Sequence, residues 1–461
     1  MSTLIAVSAL GILCLIIEIF NLRKILIPFT IAGLLAILGL IYIEYDSAQP
    51  LMEVDNYRMI INSNFSLGFS ALLVVLMIFV IAMSQRFYRD EILKLTDYVS
   101  LKIFLLAGAI AMISYGNLIM FFLGLEVLSV AVYILASSDV RKAKSNEAGL
   151  KYFMMGAFAS AFILFGIALI YGATATFDAS EIFFISQGDN LPIWFNIGFI
   201  MLSVGMLFKA SIFPFHFWAP DVYEGSPTLT TAMMSTVVKV AAIGTLFKLS
   251  VTMAGAMTPA CQMVIVVLSI LTLTVANITG LRQKNIKRMM AYSGISHAGF
   301  MLMALLAMNN GANLVLYYSA AYSFAAIAAF AVIMAVTENK PDEDFVYFNG
   351  LARHQPLMAG VLSLAMLSMG GIPIMAGFFA KAFMFGAMLS AGHITLVIFG
   401  VVNSIIAIYY YFGVINTLVV RDSHESVLTV PMIYKVIAVC AILLNIILGI
   451  FPGLIFDLNL A

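Results

Sequence analysis

Apolar runs recur from one end of this chain to the other, each about as long as a lipid bilayer is thick. With about 20 residues needed for a helix to cross the hydrocarbon layer, fourteen runs qualify. They fall near 4–20, 25–43, 65–83, 99–115, 117–136, 151–172, 193–213, 228–253, 260–280, 289–308, 312–336, 357–390, 394–419 and 432–451. Lipid offers no hydrogen-bond partners, so the backbone of each run must satisfy itself as a helix. The predicted fold is an all-α polytopic membrane protein of about 14 transmembrane helices. The twelfth run is too long for one straight helix and contains Gly370-Gly371-Ile372-Pro373. A chain 63% hydrophobic and 10% charged, with mean hydropathy +1.07, is no soluble globular domain. The longest gaps, 44–64 and 173–192, are too short to hold one. The first run has neither a basic start nor a small-residue cleavage site, and reads as a mature span, not a signal peptide. The chemistry therefore lies inside the membrane.

The basic residues test that count. Odd-numbered gaps carry Arg23 and Lys24; Arg86, Arg89, Lys94 and, at the next helix start, Lys102; then Arg141, Lys142, Lys144 and Lys151. Further on come Arg282, Lys284, Lys287 and Arg288, then Lys340 and Arg353, then Arg421 and Lys435, 18 in all. Even-numbered gaps hold Arg58 alone, with Glu44, Asp46, Glu53, Asp55, Asp178, Glu181 and Asp189. A missed or extra helix would scramble this split. Because basic loops stay cytoplasmic, the odd gaps face inward and both termini face outward.

Four of the 23 basic residues remain, Lys209, Lys239, Lys248 and Lys381, all within runs, as is Glu126 in FFLGLEVLSVAVYIL. A charge at a helix centre costs about 2.5–3.5 kcal/mol. Snorkelling suits Lys248, nine residues beyond Lys239 and near the outer end. It fails for Glu126, the tenth residue of 117–136, and for Lys239, about twelve residues into its run. A structural Glu126–Lys209 pair accounts for two charges and leaves Lys239 and Lys381 alone. A proton path accounts for them together. A low-dielectric site disfavours an ammonium and a nearby carboxylate restores it. At about 8 Å and an effective dielectric of about 20 that interaction is roughly 2 kcal/mol, or about thirtyfold in proton affinity. A movement of Glu126 relative to a lysine would load or release a proton.

Helix breaks lie beside these charges. Pro214 and Pro373 lack an N–H, which predicts freed carbonyls at Ala210, next to Lys209, and at Met369, before Gly370 and Gly371. Such carbonyls persist at membrane depth only in protein or along a hydrated cavity, a recurrent transporter device. His297, within AYSGISHAGFMLM, is a natural intermediate between Lys239 and Lys381; as a packing residue it would merely hydrogen-bond. His216, two residues past Pro214, is a further candidate for feeding protons from the cytoplasmic side. Cys14, Cys261 and Cys440 have no paired spacing and suit neither a metal site nor a disulfide framework. Any redox chemistry takes place elsewhere. No basic tail points to nucleic acid.

FKASIFPFHFWAPDVYEGSPT, AYSGISHAGFMLMAL and GGIPIMAGFFAKAFMF resemble the antiporter-like membrane subunits of the proton-pumping NADH–quinone oxidoreductase, respiratory complex I. The likeness runs over essentially the whole chain. PDVYEGSPT, and lysine instead of glutamate at 381, favour the N-type members over the M- and L-types. The resemblance implies two inverted five-helix repeats, helices 4–8 and 9–13, with helices 7 and 12 broken. Domain boundaries follow at 1–98 (three helices), 99–254 and 255–420 (the repeats) and 421–461 (a last helix). It also implies roles: Glu126 and Lys209 as the gating pair, Lys239 as the central lysine, His297 as the link between halves and Lys381 on the outward branch. Lys248 and His216 are accessory candidates. No cofactor binds this chain; FMN, iron–sulfur clusters, NADH and a quinone belong to other subunits. Implied partners are the neighbouring M-type subunit, small membrane subunits and lipid, in a bacterial inner membrane. A subunit of a multi-subunit sodium/proton antiporter shares the same charges and stays open, as does a scaffold that moves nothing.

Overall fold

The computed structural model describes residues 1–47, 58–188, 191–338, 340–420 and 429–460; Glu53, Asp55, Asp189 and Arg421 lie outside them. Thirteen helices among the described residues are long and apolar enough to cross a membrane. In order they are Ser2–Ile19, Arg23–Ser47, Asn64–Phe87, Leu95–Ile113, Leu118–Ala136, Ala143–Thr174, Ile193–Ala210, Thr228–Thr252, Pro259–Gly280, Ile286–Leu306, Gly311–Thr337, Ile394–Val419 and Met432–Ile450. Two shorter apolar helices, Pro356–Gly370 and Ala376–Ser390, precede Ile394 and together make the twelfth of fourteen crossings. Where β pairing occurs among the described residues it is as isolated bridges such as Asn285–Asp344.

Three spans form the interior. The apolar stretch of the eleventh is wholly enclosed and those of the eighth and tenth nearly so, whereas the first, second, sixth, ninth and thirteenth leave about two thirds of theirs at the surface. The eleventh reads SAAYSFAAIAAFAVIMAV over 319–336; small side chains let neighbouring backbones approach where no hydrophobic force drives helices together. The fourth span packs on the fifth and the sixth on the seventh; the ninth packs on the tenth and the eleventh on the first half of the twelfth.

The breaks differ from the expected proline kinks. The seventh span ends at Ala210, short of the predicted 213, because Ser211 turns left-handed at φ 60°. Its amide donates to Phe208 O at 3.0 Å, and that of Ile212 to Leu207 O at 2.9 Å, a closure that uses up the orphan carbonyls of a helix end. Pro214 therefore lies in the connecting turn and interrupts no helix. The chain resumes as Trp218–Gly225. The twelfth span breaks the same way at Gly371, φ 86°.

Candidate functional site

Lys209 occupies the last turn of the seventh span and is buried. Its ammonium donates to Ser129 Oγ at 2.7 Å and Tyr133 Oη at 2.9 Å, with the Tyr152 ring 5.8 Å away. Both hydroxyls belong to the fifth span. Glu126, Ser129 and Tyr133 are spaced three and four apart, so they share one face of that helix. Glu126 and Lys209 form no direct ion pair: the lysine is held one turn further along the fifth span by these hydroxyls. Glu126 is half-buried, beside the exposed Leu123, Val127 and Val130, and its Oε1 is buried without a hydrogen-bond partner among the described residues. The carboxylate thus sits at the edge of the bundle. The sequence placed it away from both aqueous surfaces, and only packing reveals the lateral one.

Lys239, His297 and Lys381 are strung through one stretch of the interior. Lys239 follows a π-helical turn, Met234–Val238, inside the eighth span; such turns are frequent at functional sites. Its Nζ is buried with no hydrogen-bond partner among the described residues. It lies against Gly294 of the tenth span, where an added Cβ would stand 2.9 Å from Nζ and 2.8 Å from Tyr322 Oη. That glycine keeps the space open. Tyr322 shares a hydrogen bond of 2.7 Å with Ser235 and its ring lies 4.7 Å from that of His297. Both nitrogens of His297 meet hydroxyls: Nδ1 and Tyr318 Oη are 2.9 Å apart, Nε2 and Tyr411 Oη 3.3 Å. Tyr411 is linked to Ser293 at 2.5 Å. A cavity of about 10 Å³ lies between His297, Tyr318 and Tyr322 on one side and Ser368, Met369, Gly377 and Ala380 on the other, about the space of one water molecule. Beyond it Lys381 donates to the carbonyls of Met369 and Gly370 at 3.1 and 3.0 Å and lies 5.3 Å from the Phe300 ring.

The accessory candidates divide. Lys248 donates to Ile113 O at 3.0 Å and Tyr115 O at 2.7 Å and closes the end of the fourth span. It also borders a cavity of about 740 Å³ with Ser63, Phe247, Asn313, Phe383 and Phe456. His216 lies in the turn after Pro214, buried and ring-to-ring with Phe217 at 4.4 Å, its Nδ1 without a hydrogen-bond partner among the described residues.

Residue-by-residue reading of charges misses the hydroxyl partners. Tyr318, Tyr322 and Tyr411 border the row, and their signal is tyrosine away from the span ends, where it ordinarily concentrates; Tyr133, which holds Lys209, lies in the last turn of its span and carries no such signal. A second miss is a cavity of about 630 Å³ on the face of the basic loops, bordered by Tyr88, Glu91, Ser138, Glu224, Lys287 and Glu343. Within it Lys287 pairs with Glu343 at 3.0 Å and donates to Ser226 O at 2.8 Å. The third miss is Lys102. Its place at a helix start groups it with the loop charges, yet it is fully buried.

A family model described as NADH:quinone oxidoreductase/Mrp antiporter, TM, matches residues 115–407. The NADH-quinone oxidoreductase subunit N of Flavobacterium johnsoniae is 51% identical, over 99% of this chain and 100% of its own length. A chain of respiratory complex I from Thermus thermophilus, solved with bound aureothin, superposes with a TM-score of 0.86 at 29% identity, covering 100% of this chain and 99% of that one. A chain of the Mrp complex from Dietzia sp. also superposes at 0.86, covering 100% and 96%, but at 19% identity; that is a likeness of fold.

Proposed function

The chain belongs to the NADH:quinone oxidoreductase/Mrp antiporter membrane family, and from that premise we propose that it moves protons through the row Lys239–His297–Lys381, loaded by way of Lys209 and Glu126. It is a proton-translocating membrane subunit of an NADH–quinone oxidoreductase. FMN, iron–sulfur clusters and quinone belong to its partner subunits. The basic face is cytoplasmic and both termini lie outside.

The observation that carries this reading is the polar row itself, running through the most enclosed spans of an apolar bundle. Each member suits a different step. Lys209 rests on hydroxyls, which both donate and accept, so they tolerate ammonium and amine alike. A turn of its side chain towards Glu126 changes the charge it feels. Lys239 has no fixed partner and a flexible stem, which lets it hand a proton on. His297 has both ring nitrogens engaged, so a proton arriving at one is matched by a proton leaving the other. Lys381 is held by carbonyls, which only accept, and these favour its protonated form. Glu126 at the lateral edge would be costly against lipid, and a neighbouring membrane subunit covers that face.

Lys239→Met, made in the assembled complex, tests the reading. Protons moved per NADH oxidised should collapse in closed vesicles. Full pumping by that variant would overturn it. Purification without flavin and iron–sulfur partners would leave the gradient-driven antiporter.

A further inference from the structure

Lys102 is the one fully buried lysine on the fourth span, and the row described above does not use it. It lies seven residues past the helix start at Leu95, about 10 Å along the axis. Its ammonium donates to Ser84 Oγ at 3.0 Å and faces the Tyr88 ring at 4.5 Å. The Ser84 hydroxyl is itself committed to Val80 O at 2.9 Å. No carboxylate pairs with Lys102 among the described residues. An ammonium has three N–H bonds to satisfy; here it has one hydroxyl and one ring face.

What lies beyond the ring makes this more than a tie between the third and fourth spans. Tyr88 borders the 630 Å³ cavity on the basic face, and its buried hydroxyl has no hydrogen-bond partner among the described residues. Its ring packs at 4.4 Å on that of Tyr98. Tyr98 in turn donates to Glu91 Oε2 at 3.2 Å, a carboxylate on the cavity wall. One aromatic ring therefore separates a buried amine from a polar chamber bordered by Glu91, Glu224, Glu338 and Glu343.

We infer that Lys102 is a further proton-exchanging residue, loaded from the basic-face cavity and shielded behind Tyr88. Its flexible stem carries Nζ past the ring. There the amine takes a proton from a hydronium of the chamber, leaving water, and returns as an ammonium to Ser84 and the ring face. The inference rests on the chain's reading as a proton-translocating subunit.

Lys102→Met and Lys102→Arg in the assembled complex decide it, read as protons moved per NADH oxidised, with Lys239→Met measured alongside. Both Lys102 variants should lose most of the proton movement. Arginine keeps the charge and the ring contact but does not release its proton, so it rescues a structural role and not an exchanging one. Normal pumping by the arginine variant, or by both, overturns the inference. If Lys239→Met stops pumping while the Lys102 variants do not, this inference alone fails; if Lys239→Met pumps fully, the parent reading fails first. Should neither Lys102 variant assemble, Ser84→Ala removes the one hydroxyl that holds the ammonium and should lower the ratio. An unchanged ratio in that variant overturns the inference equally.

Discussion

After Ala210 and after Gly370 the chain does the same thing, five crossings apart. Ser211 at φ 60° and Gly371 at φ 86° end the helix left-handed. The isoleucine that follows each, Ile212 or Ile372, returns its amide to a leucine carbonyl, Leu207 or Leu367. Aligned on these residues, Lys209 corresponds to Met369 and not to Lys381. The difference lies in what covers the exposed backbone. At the first break an indole does so, Trp218 Nε1 donating to Phe208 O at 3.1 Å, and Lys209 is left to the hydroxyls of another span. At the second, Lys381 itself reaches back to Met369 O and Gly370 O. The short helix after the first break is tied by charge, Asp221 and Glu224 to Arg288 at 2.7 and 3.0 Å. At the second break it is the preceding helix that is braced, and by neutral groups: Ser368 donates to Asn445 at 2.8 Å and Asn445 to Ala321 O at 2.7 Å. One lysine is a tenant of its break; the other is part of its fabric.

The largest effect that would sharpen this contrast is on stability. Lys381→Met strips two buried carbonyls of their donor, at about 1–3 kcal/mol for each, whereas Lys209→Met leaves hydroxyls that can turn to other acceptors. Thermal unfolding of the purified assembly should show Lys381→Met markedly less stable than Lys209→Met, though both impair pumping. Equal midpoints would erase the distinction. Next come the left-handed residues. Gly371→Ala adds about 1–2 kcal/mol of backbone strain and a Cβ 3.1 Å from Lys381 Cδ. Ser211→Gly relieves a similar strain, partly offset by a floppier unfolded chain. The two midpoints should therefore move in opposite directions, and a shared direction would show that the breaks are not equivalent.

The smallest effect is on acid sensitivity. Burial raises the Asp221 carboxyl, but Arg288 and Lys151 outweigh it and hold it below the usual carboxylate value; for Glu224 burial is likewise outweighed, by Lys144 and Arg288. A carboxyl depressed in the folded state contributes stability that is present above its ordinary pKa, about 4, and lost as pH falls through the folded value. These pairs are partly exposed, so the change stays within about 1 kcal/mol. Proteolysis within 211–217 should quicken below about pH 4 while cutting at 371–375 does not, because Ser368 and Asn445 do not titrate. Parallel acceleration at both breaks would contradict the assignment.

Spacing along the chain was enough to find the crossings, because each span must satisfy its own backbone and sit within a layer of one thickness. It was enough to single out Lys239 and His297 as well, since an ionisable group at mid-span stands out against apolar neighbours; Lys209, in the last turn of its span, stood out by the apolar run before it. Pro214 misled by three residues: proline marks where a helix cannot continue, but the left-handed turn at Ser211 ends it first. Lys102 and Lys287 misled because residues near a span's start look the same whether they point to water or inward. The span count and the burial of Lys209, Lys239 and Lys381 were thus legible in the sequence alone, each being a property of one segment in its solvent. Only the tertiary structure decided that the Tyr322 ring packs on His297 while its hydroxyl and Lys239 Nζ both lie over Gly294, that Lys209 rests on Ser129 and Tyr133, and that a chamber stands behind Tyr88. Those relations depend on which faces of separate helices meet, and a face is chosen by packing among all the spans at once.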